Sequence, residues 1–355
     1  MKTTYIIRRL FTAILAFGAL TNLKAQDIHF SQWEYSPMTL NPALAGANSP
    51  MQAVINYRNQ WSKVGTAYQT MAASFDARLS EPKRGQSGIF AAGLNFYNDR
   101  AGAQRISTNI MTLNLAYHLL IDRESMLGIG LYGAYGQRAF SSDGAQWMSQ
   151  YDGFGYNASY VSGEEFNSPS FNMFDAGAGI VYSYNMRGGY MTQNIRKRIN
   201  VGFTAFHVNR PKFSFIDQDN ERLAIRYSAF FNGDFGIKNT RGIVQPGIYY
   251  QRQGGHQEIM FGMNYGYVLH EGSRATGFTR PMTLFLGMFY RLQDAAVARV
   301  MFEYDLFSLG FAYDINLSNL TSVTNSVGGF ELFMRYNFGD GGGFRQAKPI
   351  NRVRF

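Results

Sequence analysis

Long stretches of the chain alternate between apolar and polar side chains, as expected for β-strands that face two different environments. From Phe330 to Phe338 every second residue is apolar or aromatic, and Glu331, Arg335 and Asn337 lie between them. The segment 110–119 alternates in the same way. Because successive side chains of a strand point to opposite faces of the sheet, these segments predict strands with one face suited to hydrocarbon and the other to a polar interior.

Runs of this kind predict about fourteen strands. They lie near residues 51–58, 68–78, 87–98, 106–120, 125–140, 173–185, 198–208, 222–234, 242–252, 256–269, 282–292, 296–304, 307–316 and 328–338. Many exceed the five or six residues that are usual in soluble proteins. The pattern therefore favours an all-β fold, a transmembrane antiparallel β-barrel over residues 51–338, rather than a soluble sandwich or propeller. An even strand number places both chain termini on one side of the membrane, which for an exported chain is the periplasm.

The N-terminus has the pattern of a secretory signal peptide. Lys2, Arg8 and Arg9 precede an apolar run over 10–20, and Ala25 is a small residue at a suitable cleavage point. The apolar run is too short for a membrane-crossing helix, which needs about 20 residues. We therefore predict a signal peptide over residues 1–25 and location in the bacterial outer membrane after cleavage near Ala25.

Composition excludes several other classes of protein. Only 16% of residues are charged, against about 25% in ordinary soluble domains. Aromatic residues make up another 16%, and there are 38 glycines, which disfavours helical bundles and disordered chains. Residues 1–25 carry four basic residues and no acid, so their removal lowers the formal net charge from +9 to +5. No nucleic-acid-binding motif accompanies that charge, so no nucleic-acid partner is expected.

The sequence contains little that indicates catalysis. It has no cysteine, and its five histidines are scattered without metal-ligand spacing. Residues 128–133 match GxGxxG, but they lie inside a predicted strand instead of opening a helix. We predict a protein that is not an enzyme, has no cofactor or metal site and needs no small-molecule substrate. A barrel that hydrolyses lipids is a minor alternative.

Several short motifs together carry a family resemblance. The segment from Gln26 reads QDIHFSQW, followed by NPALAG at 41–46, YRNQW at 57–61 and FAYDI at 311–315. This combination resembles the PorP/SprF family of the type IX secretion system in Bacteroidota. The resemblance implies an outer-membrane barrel that acts as an accessory or anchoring component in protein secretion or gliding motility. Its implied partners are the C-terminal domains of secreted adhesins, the periplasmic secretion ring, or both, besides outer-membrane lipid.

A transporter or channel for hydrophobic or small polar solutes remains the alternative function. The sequence separates the two poorly, because both need a barrel of this size.

The segment over residues 26–50 is predicted to be a periplasmic strap or a plug that enters the barrel. In NPALAG, the Asn-Pro step favours an extended approach, and Gly46 permits a positive φ. Residues in and near the motifs are candidates for binding a partner; Arg58, Gln60 and Trp61 are expected in the outward loop after the first strand. The complete candidate set is Phe30, Ser31, Gln32, Asn41, Pro42, Gly46, Arg58, Gln60 and Trp61.

Two further groups of charged residues are candidate sites. The last three strands carry charges predicted to face the lumen, where opposite signs could form a ladder or line a path for cargo or ions: Arg299, Glu303, Asp305, Asp314, Glu331 and Arg335. Strand parity assigns a second group to a basic periplasmic rim that contacts lipid headgroups or a protein partner: Arg196, Lys197, Arg198, Arg345, Lys348, Arg352 and Arg354. The last four belong to a predicted basic periplasmic tail over residues 339–355.

Overall fold

A computed structural model describes most of the chain beyond the predicted signal peptide. The described residues are 27–61, 67–80, 88–102, 106–122, 124–140, 147–157, 159–161, 170–187, 196–215, 221–272, 280–318 and 326–338. The predicted signal peptide and the predicted basic tail over 339–355 lie outside them.

Fourteen strands form one closed antiparallel barrel. They are β1 Met51–Gln60, β2 Tyr68–Arg78, β3 Gly88–Ala101, β4 Ile106–Leu120, β5 Ser125–Ala139, β6 Ser170–Arg187, β7 Arg196–Phe206, β8 Arg226–Gly236, β9 Gly242–Gln253, β10 His256–His270, β11 Met282–Arg291, β12 Ala295–Tyr304, β13 Phe307–Asn316 and β14 Val327–Phe338.

Each strand pairs with its neighbours in sequence, and β1 pairs with β14 to close the barrel. The closing register runs from Met51 opposite Phe338 to Gln60 opposite Gly329. Closure leaves no sheet edge, which satisfies backbone hydrogen bonding in hydrocarbon. The predicted fold class and strand number are therefore confirmed.

The two faces of the strands differ as the alternation predicts. On the outer face Leu113 is 49% exposed and Met334 42% exposed. Asn114 and Glu331, at the alternate positions of the same two strands, point inward and are buried. The apolar side chains thus form the outer surface, and the polar ones line the lumen.

Connection lengths orient the barrel. The longest connections, 140–169 and 207–225, leave the end of the barrel at which β1 finishes. At the opposite end, where β1 starts, the longest connection is shorter, 271–281 between β10 and β11. Long loops are extracellular in bacterial barrels and short turns are periplasmic, so β1 begins on the periplasmic side.

One predicted boundary is wrong by several residues. The pattern predicts an eighth strand over 222–234, whereas β8 begins at Arg226 and ends at Gly236. Leu223 is buried inside the preceding connection, and Arg222 pairs in an isolated bridge with Lys212. Leu223, which the predicted strand included, therefore packs within the connection before β8.

The N-terminal segment over residues 27–50 lies inside the barrel, and we call it the plug segment. It contains two 3-10 turns, Trp33–Tyr35 and Pro42–Leu44, and one short helix, α1 Pro37–Leu40. Trp33, Met38, Leu40 and Ala43 are each no more than 4% exposed. Among the described residues, no helix is both long and apolar enough to cross a membrane.

Leu113→Arg should lower the free energy of unfolding in lipid vesicles by about 2–4 kcal/mol, because the substitution places a cation against hydrocarbon near the middle of β4. Phe154→Arg, at a fully exposed position in the connection between β5 and β6, is the matched control and should change it by less than about 0.5 kcal/mol. Urea unfolding followed by tryptophan fluorescence measures both. An equal effect of the two substitutions would contradict the assignment of Leu113 to the lipid-facing surface.

Candidate functional site

The interface between the plug segment and the lumen wall is the most elaborate polar and aromatic site of the described structure. Its middle part is aromatic. The Trp33 ring stacks on Tyr249 with centroids 5.5 Å apart, and the Tyr35 ring stacks on Phe333 at 4.1 Å. The Asn56 amide also donates a hydrogen bond to the Tyr35 carbonyl at 3.1 Å. Such pairs add specific geometry to the burial of large apolar surfaces.

The Asn41-Pro42-Ala43 step binds the wall through a fitted contact. The Asn41 side chain accepts a hydrogen bond from the Ala43 N–H at 2.8 Å and so caps the second 3-10 turn. The same side chain donates to the carbonyls of Ile180 and Phe203, at 3.1 and 3.2 Å. Asn41 is extended, with φ −160° and ψ 125°, as expected before proline.

Glycines in the wall make this close approach possible. A Cβ on Gly130 of β5 would lie 2.3 Å from the Ala43 nitrogen, and one on Gly179 of β6 would lie 2.2 Å from Asn41 Oδ1. Both distances are far below van der Waals contact. The NPA motif and these two glycines are therefore complementary parts of one contact.

The end of the motif turns the chain toward β1. Gly46 has φ +66°, so the predicted positive φ is confirmed. Its N–H donates to Asp76 Oδ2 at 2.7 Å, and its carbonyl accepts from Arg78 Nε at 2.7 Å. A Cβ there would also meet the Ala91 Cβ at 2.7 Å. Left-handed backbone and lack of space both require glycine at this position.

A buried charge cluster holds Ser31 and Gln32. The carboxylate of Glu331 accepts hydrogen bonds from both backbone N–H groups, the second at 2.9 Å. Asp314 accepts from the Ser31 hydroxyl at 2.8 Å. The two carboxylates are balanced by Arg58, whose guanidinium lies 3.1 Å from Glu331 and 3.3 Å from Asp314.

Two more arginines complete the cluster. Arg291 pairs with Asp314 at 2.9 Å and with Asp294 at 2.8 Å. Arg299 pairs with Glu34 of the plug segment and lies over the Phe289 ring, 3.5 Å from its centroid. Buried charges are tolerated only when they are paired and hydrogen-bonded, so each side of this interface depends on the other.

The outer end of the plug segment is held by a second cluster. His207 bonds Asp27 through Nε2 and Asp175 through Nδ1, the latter at 2.7 Å. Arg226 lies 3.5 Å from the Asp27 carboxylate, and the Asp27 N–H donates to Gln253 at 3.0 Å. Burial alone would lower the pKa of His207, but the two carboxylates outweigh it and raise the pKa to about 9. His207 is therefore a cation at neutral pH.

The candidate partner-binding residues lie mostly inside the molecule. Phe30, Ser31, Gln32, Asn41, Pro42 and Gly46 are buried in the plug segment. Arg58 belongs to β1 and is 2% exposed, so its predicted place in an outward loop is wrong. These residues hold the plug segment and do not form an exposed surface. Gln60 ends β1 and Trp61 follows it, with its ring edge against Tyr68, and both are half-buried.

Only some of the candidate ladder residues pair with one another. Arg335 pairs with Glu303 at 2.9 Å. Arg299, Asp314 and Glu331 pair with the plug segment or with other strands, as described above. The prediction that Asp305 faces the lumen is wrong. Asp305 lies in the turn after β12 and pairs with the exposed Arg280.

The candidate basic rim is described only at the start of β7. Arg196 is paired with Asp234, which faces the lumen. Lys197 is exposed, with its amine 5.6 Å from the centre of the Tyr184 ring. Arg198 lines a lumen cavity together with Arg196. The other four residues, Arg345, Lys348, Arg352 and Arg354, lie outside the described residues.

Two cavities lie beside the plug segment. One cavity of about 100 Å³ lies in the periplasmic half, between Glu34, Asn48, Asp234 and Arg335 among others. Another of about 30 Å³ lies near Tyr97, Tyr132 and His207. Within the described ranges, no group of three or more His, Asp or Glu side chains is arranged to hold a metal ion.

Sequence reasoning missed several residues of the site. Arg291 and Asp27 were not singled out, and His207 was noted only as one of five scattered histidines. Each forms its contacts with residues distant in sequence, so no local spacing signals them. For Arg291, the one available signal in the sequence was its position on the inward-facing side of a predicted strand.

Residues 22–336 match the family described as type IX secretion system membrane protein PorP/SprF. The chain therefore belongs to this family, and the resemblance carried by the NPALAG and FSQ motifs is confirmed. No curated protein matches the chain. The family and the fold are those of a secretion-system membrane barrel and not of a known enzyme family, and they point to the outer membrane.

Solved structures of similar fold share little sequence with the chain. A Pseudomonas aeruginosa FadL homologue is 8% identical with a TM-score of 0.43, over 84% of this chain and 93% of that one. The β domain of the Bordetella autotransporter BrkA is 10% identical with a TM-score of 0.36, over 82% and 99%. CdiB from Acinetobacter baumannii is 7% identical with a TM-score of 0.42, over 81% of this chain and only 60% of its own length.

Glu331→Gln should lower the free energy of unfolding by roughly 3–5 kcal/mol, because it removes one of the two carboxylate charges paired with buried Arg58. Asp305→Asn, which breaks the exposed pair with Arg280, is the control and should cost at most about 1 kcal/mol. Urea unfolding in vesicles compares the two variants. Equal losses would show that the buried cluster does not stabilise the plugged state.

Gly130→Ala should displace the NPA step and destabilise the protein by about 1–3 kcal/mol, the usual cost of overpacking. Gly133→Ala on the same strand meets nothing within 4 Å and should be nearly neutral. Unfolding and small-solute conductance of the two variants test this difference. Identical behaviour would mean that the Ala43 contact is not tight in solution.

Proposed function

We propose that this barrel acts as a non-enzymatic accessory in type IX secretion or gliding, binding exported adhesin domains, the periplasmic secretion ring, or both. Membership of the PorP/SprF family supports the secretion role. The observation that carries the proposal is the plug segment, which lies inside the lumen and is held there by buried charges, hydrogen bonds and aromatic contacts. A lumen occupied in this way favours binding at the exposed ends over passage of solutes.

The extracellular end offers an apolar surface suited to a protein partner. In the connection between β5 and β6, Phe154 is fully exposed and Met148 is 91% exposed. The Asp152 carboxylate accepts hydrogen bonds from the N–H groups of Phe154 and Gly155, both at 2.8 Å, which fixes the turn that presents the ring. Exposed apolar groups remote from the lipid-facing wall are typical of protein contact sites.

The periplasmic end offers a smaller contact surface. Leu79, just after β2, is 67% exposed, and Lys197 is exposed at the start of β7. The basic character predicted for this rim would favour anionic headgroups or an acidic protein surface. Arg196 contributes less to such a surface, because Asp234 already neutralises it.

A mild-detergent pull-down from the native cell, with mass spectrometry, tests the proposal. We expect a secreted adhesin or ring components to co-purify with the wild type. Phe154→Ser should reduce recovery of an exported partner at least tenfold, because it removes an anchor from the extracellular surface. Leu79→Ser removes an exposed apolar side chain from the periplasmic end and is the matched control. It should reduce only the recovery of a periplasmic partner.

Deleting residues 27–46 separates the accessory role from the alternative of a solute channel. Low small-solute conductance in the wild type that rises at least tenfold in the inserted deletion variant supports closure by the plug segment. High wild-type conductance that the deletion does not change, together with absence of any secretion partner, would instead support a channel.

A further inference from the structure

The contacts of the plug segment give its direction inside the barrel. Strands with odd numbers run from the periplasmic to the extracellular end, and strands with even numbers run back. Asp27 contacts Gln253 and His207, which lie at the extracellular ends of β9 and β7. At the other end, Ala45 contacts His118, near the periplasmic end of β4, with its carbonyl 2.6 Å from Nε2. The segment therefore descends from the outer mouth toward the periplasm.

Between these two ends the plug segment does not descend evenly. Ser31 binds Glu331 and Asp314 in the outer part of β14 and β13. Further along the chain, Tyr35 lies against Phe333, one inward position closer to the periplasm on β14. Beyond Ala45, Gly46 binds Asp76 and Arg78 at the periplasmic end of β2. Between Tyr35 and Ala45 the chain returns toward the outer mouth, because the Thr39 carbonyl accepts a hydrogen bond from Arg226 at the extracellular end of β8. The net direction is therefore given by the two ends of the segment, Asp27 and Gly46.

We infer that the plug segment is threaded with its amino end outward, so that the mature N-terminus is presented at the extracellular mouth of the barrel. The inference rests on the outer-membrane orientation given by the connection lengths, not on any secretion partner. Cleavage after Ala25 would leave Gln26 as the single residue before Asp27. One residue is too short to return through the lumen, since an extended residue spans only about 3.5 Å.

The outer mouth is built to hold this chain end. The Asp27 carboxylate is bound by His207 and Arg226, and its N–H by Gln253. Burial opposes ionisation of Asp27, but the two cations hold its pKa well below the usual range. At neutral pH the contact is therefore an anion between two cations. Its groups come from the wall at β6–β9, so it forms only after those strands are in place.

The threading direction also constrains assembly. A chain that is still attached to the inner membrane by its signal peptide cannot place Asp27 at the far mouth. Cleavage must therefore precede docking of the plug segment. Any molecule that recognises the mature N-terminus would have to approach from the cell exterior.

An epitope inserted between Gln26 and Asp27 tests the direction in intact cells. We expect an impermeant antibody to bind this variant without permeabilisation, as strongly as it binds the same epitope inserted after Gly153 in the extracellular connection. The same epitope inserted after Asp122, in the periplasmic turn between β4 and β5, should bind only after permeabilisation. Binding of the N-terminal epitope only after permeabilisation, in a heat-modifiable folded barrel, would overturn the inference.

A second measurement applies if the insertion disturbs folding. Because the chain has no cysteine, the pair Asp27→Cys and Gln253→Cys can be joined by a short bifunctional thiol reagent. We expect this pair to cross-link in membranes and the pair Asp27→Cys and Asp122→Cys, at opposite ends, not to. The reverse result would overturn the threading direction independently of antibody access. This measurement tests only the threading direction, because the pull-down tests the secretion role separately.

Discussion

Charges buried in the lumen of a closed barrel need partners, and the wall and the plug segment supply them together. Arg58, Arg291 and Arg299 point inward from β1, β11 and β12, where no lipid or bulk water surrounds them. Glu331 and Asp314 balance two of these arginines, and Glu34 of the plug segment balances the third. Removing either side would leave polar groups buried without partners, so wall and plug segment form one stable unit.

The outer wall and the two ends of the barrel therefore face different surroundings. The outer wall meets hydrocarbon and carries exposed Leu, Met, Phe and Tyr side chains. The ends of the barrel carry exposed apolar groups outside that wall, such as Phe154 on the extracellular side and Leu79 on the periplasmic side. In a member of the PorP/SprF family with an occupied lumen, these ends are where a secretion partner would be expected to bind.

The motifs that carry the family resemblance lie in the interior of the barrel, where they hold the plug segment against the wall. In FSQ, Ser31 and Gln32 present backbone N–H groups to Glu331; in NPALAG, Asn41 and Ala43 lie against the wall glycines, and Gly46 turns the chain toward β1. Their short, polar and proline-containing sequences suit a loop that must fit a preformed wall. The contacts of these motifs therefore explain how the plug segment is held in the barrel, and they do not indicate a ligand.

The sequence by itself determined the barrel: alternation at positions such as Leu113 and Asn114 follows directly from hydrocarbon on one side and polar groups on the other, and Gly46 could be assigned its positive φ. Pairing of the charges was decided only by the tertiary structure. Asp27 pairs with His207 across 180 residues of chain, and Arg58 pairs with Asp314 across 256. Side-chain alternation is a local property with period two, whereas contact across a lumen depends on barrel closure, which brings together residues that no local spacing relates.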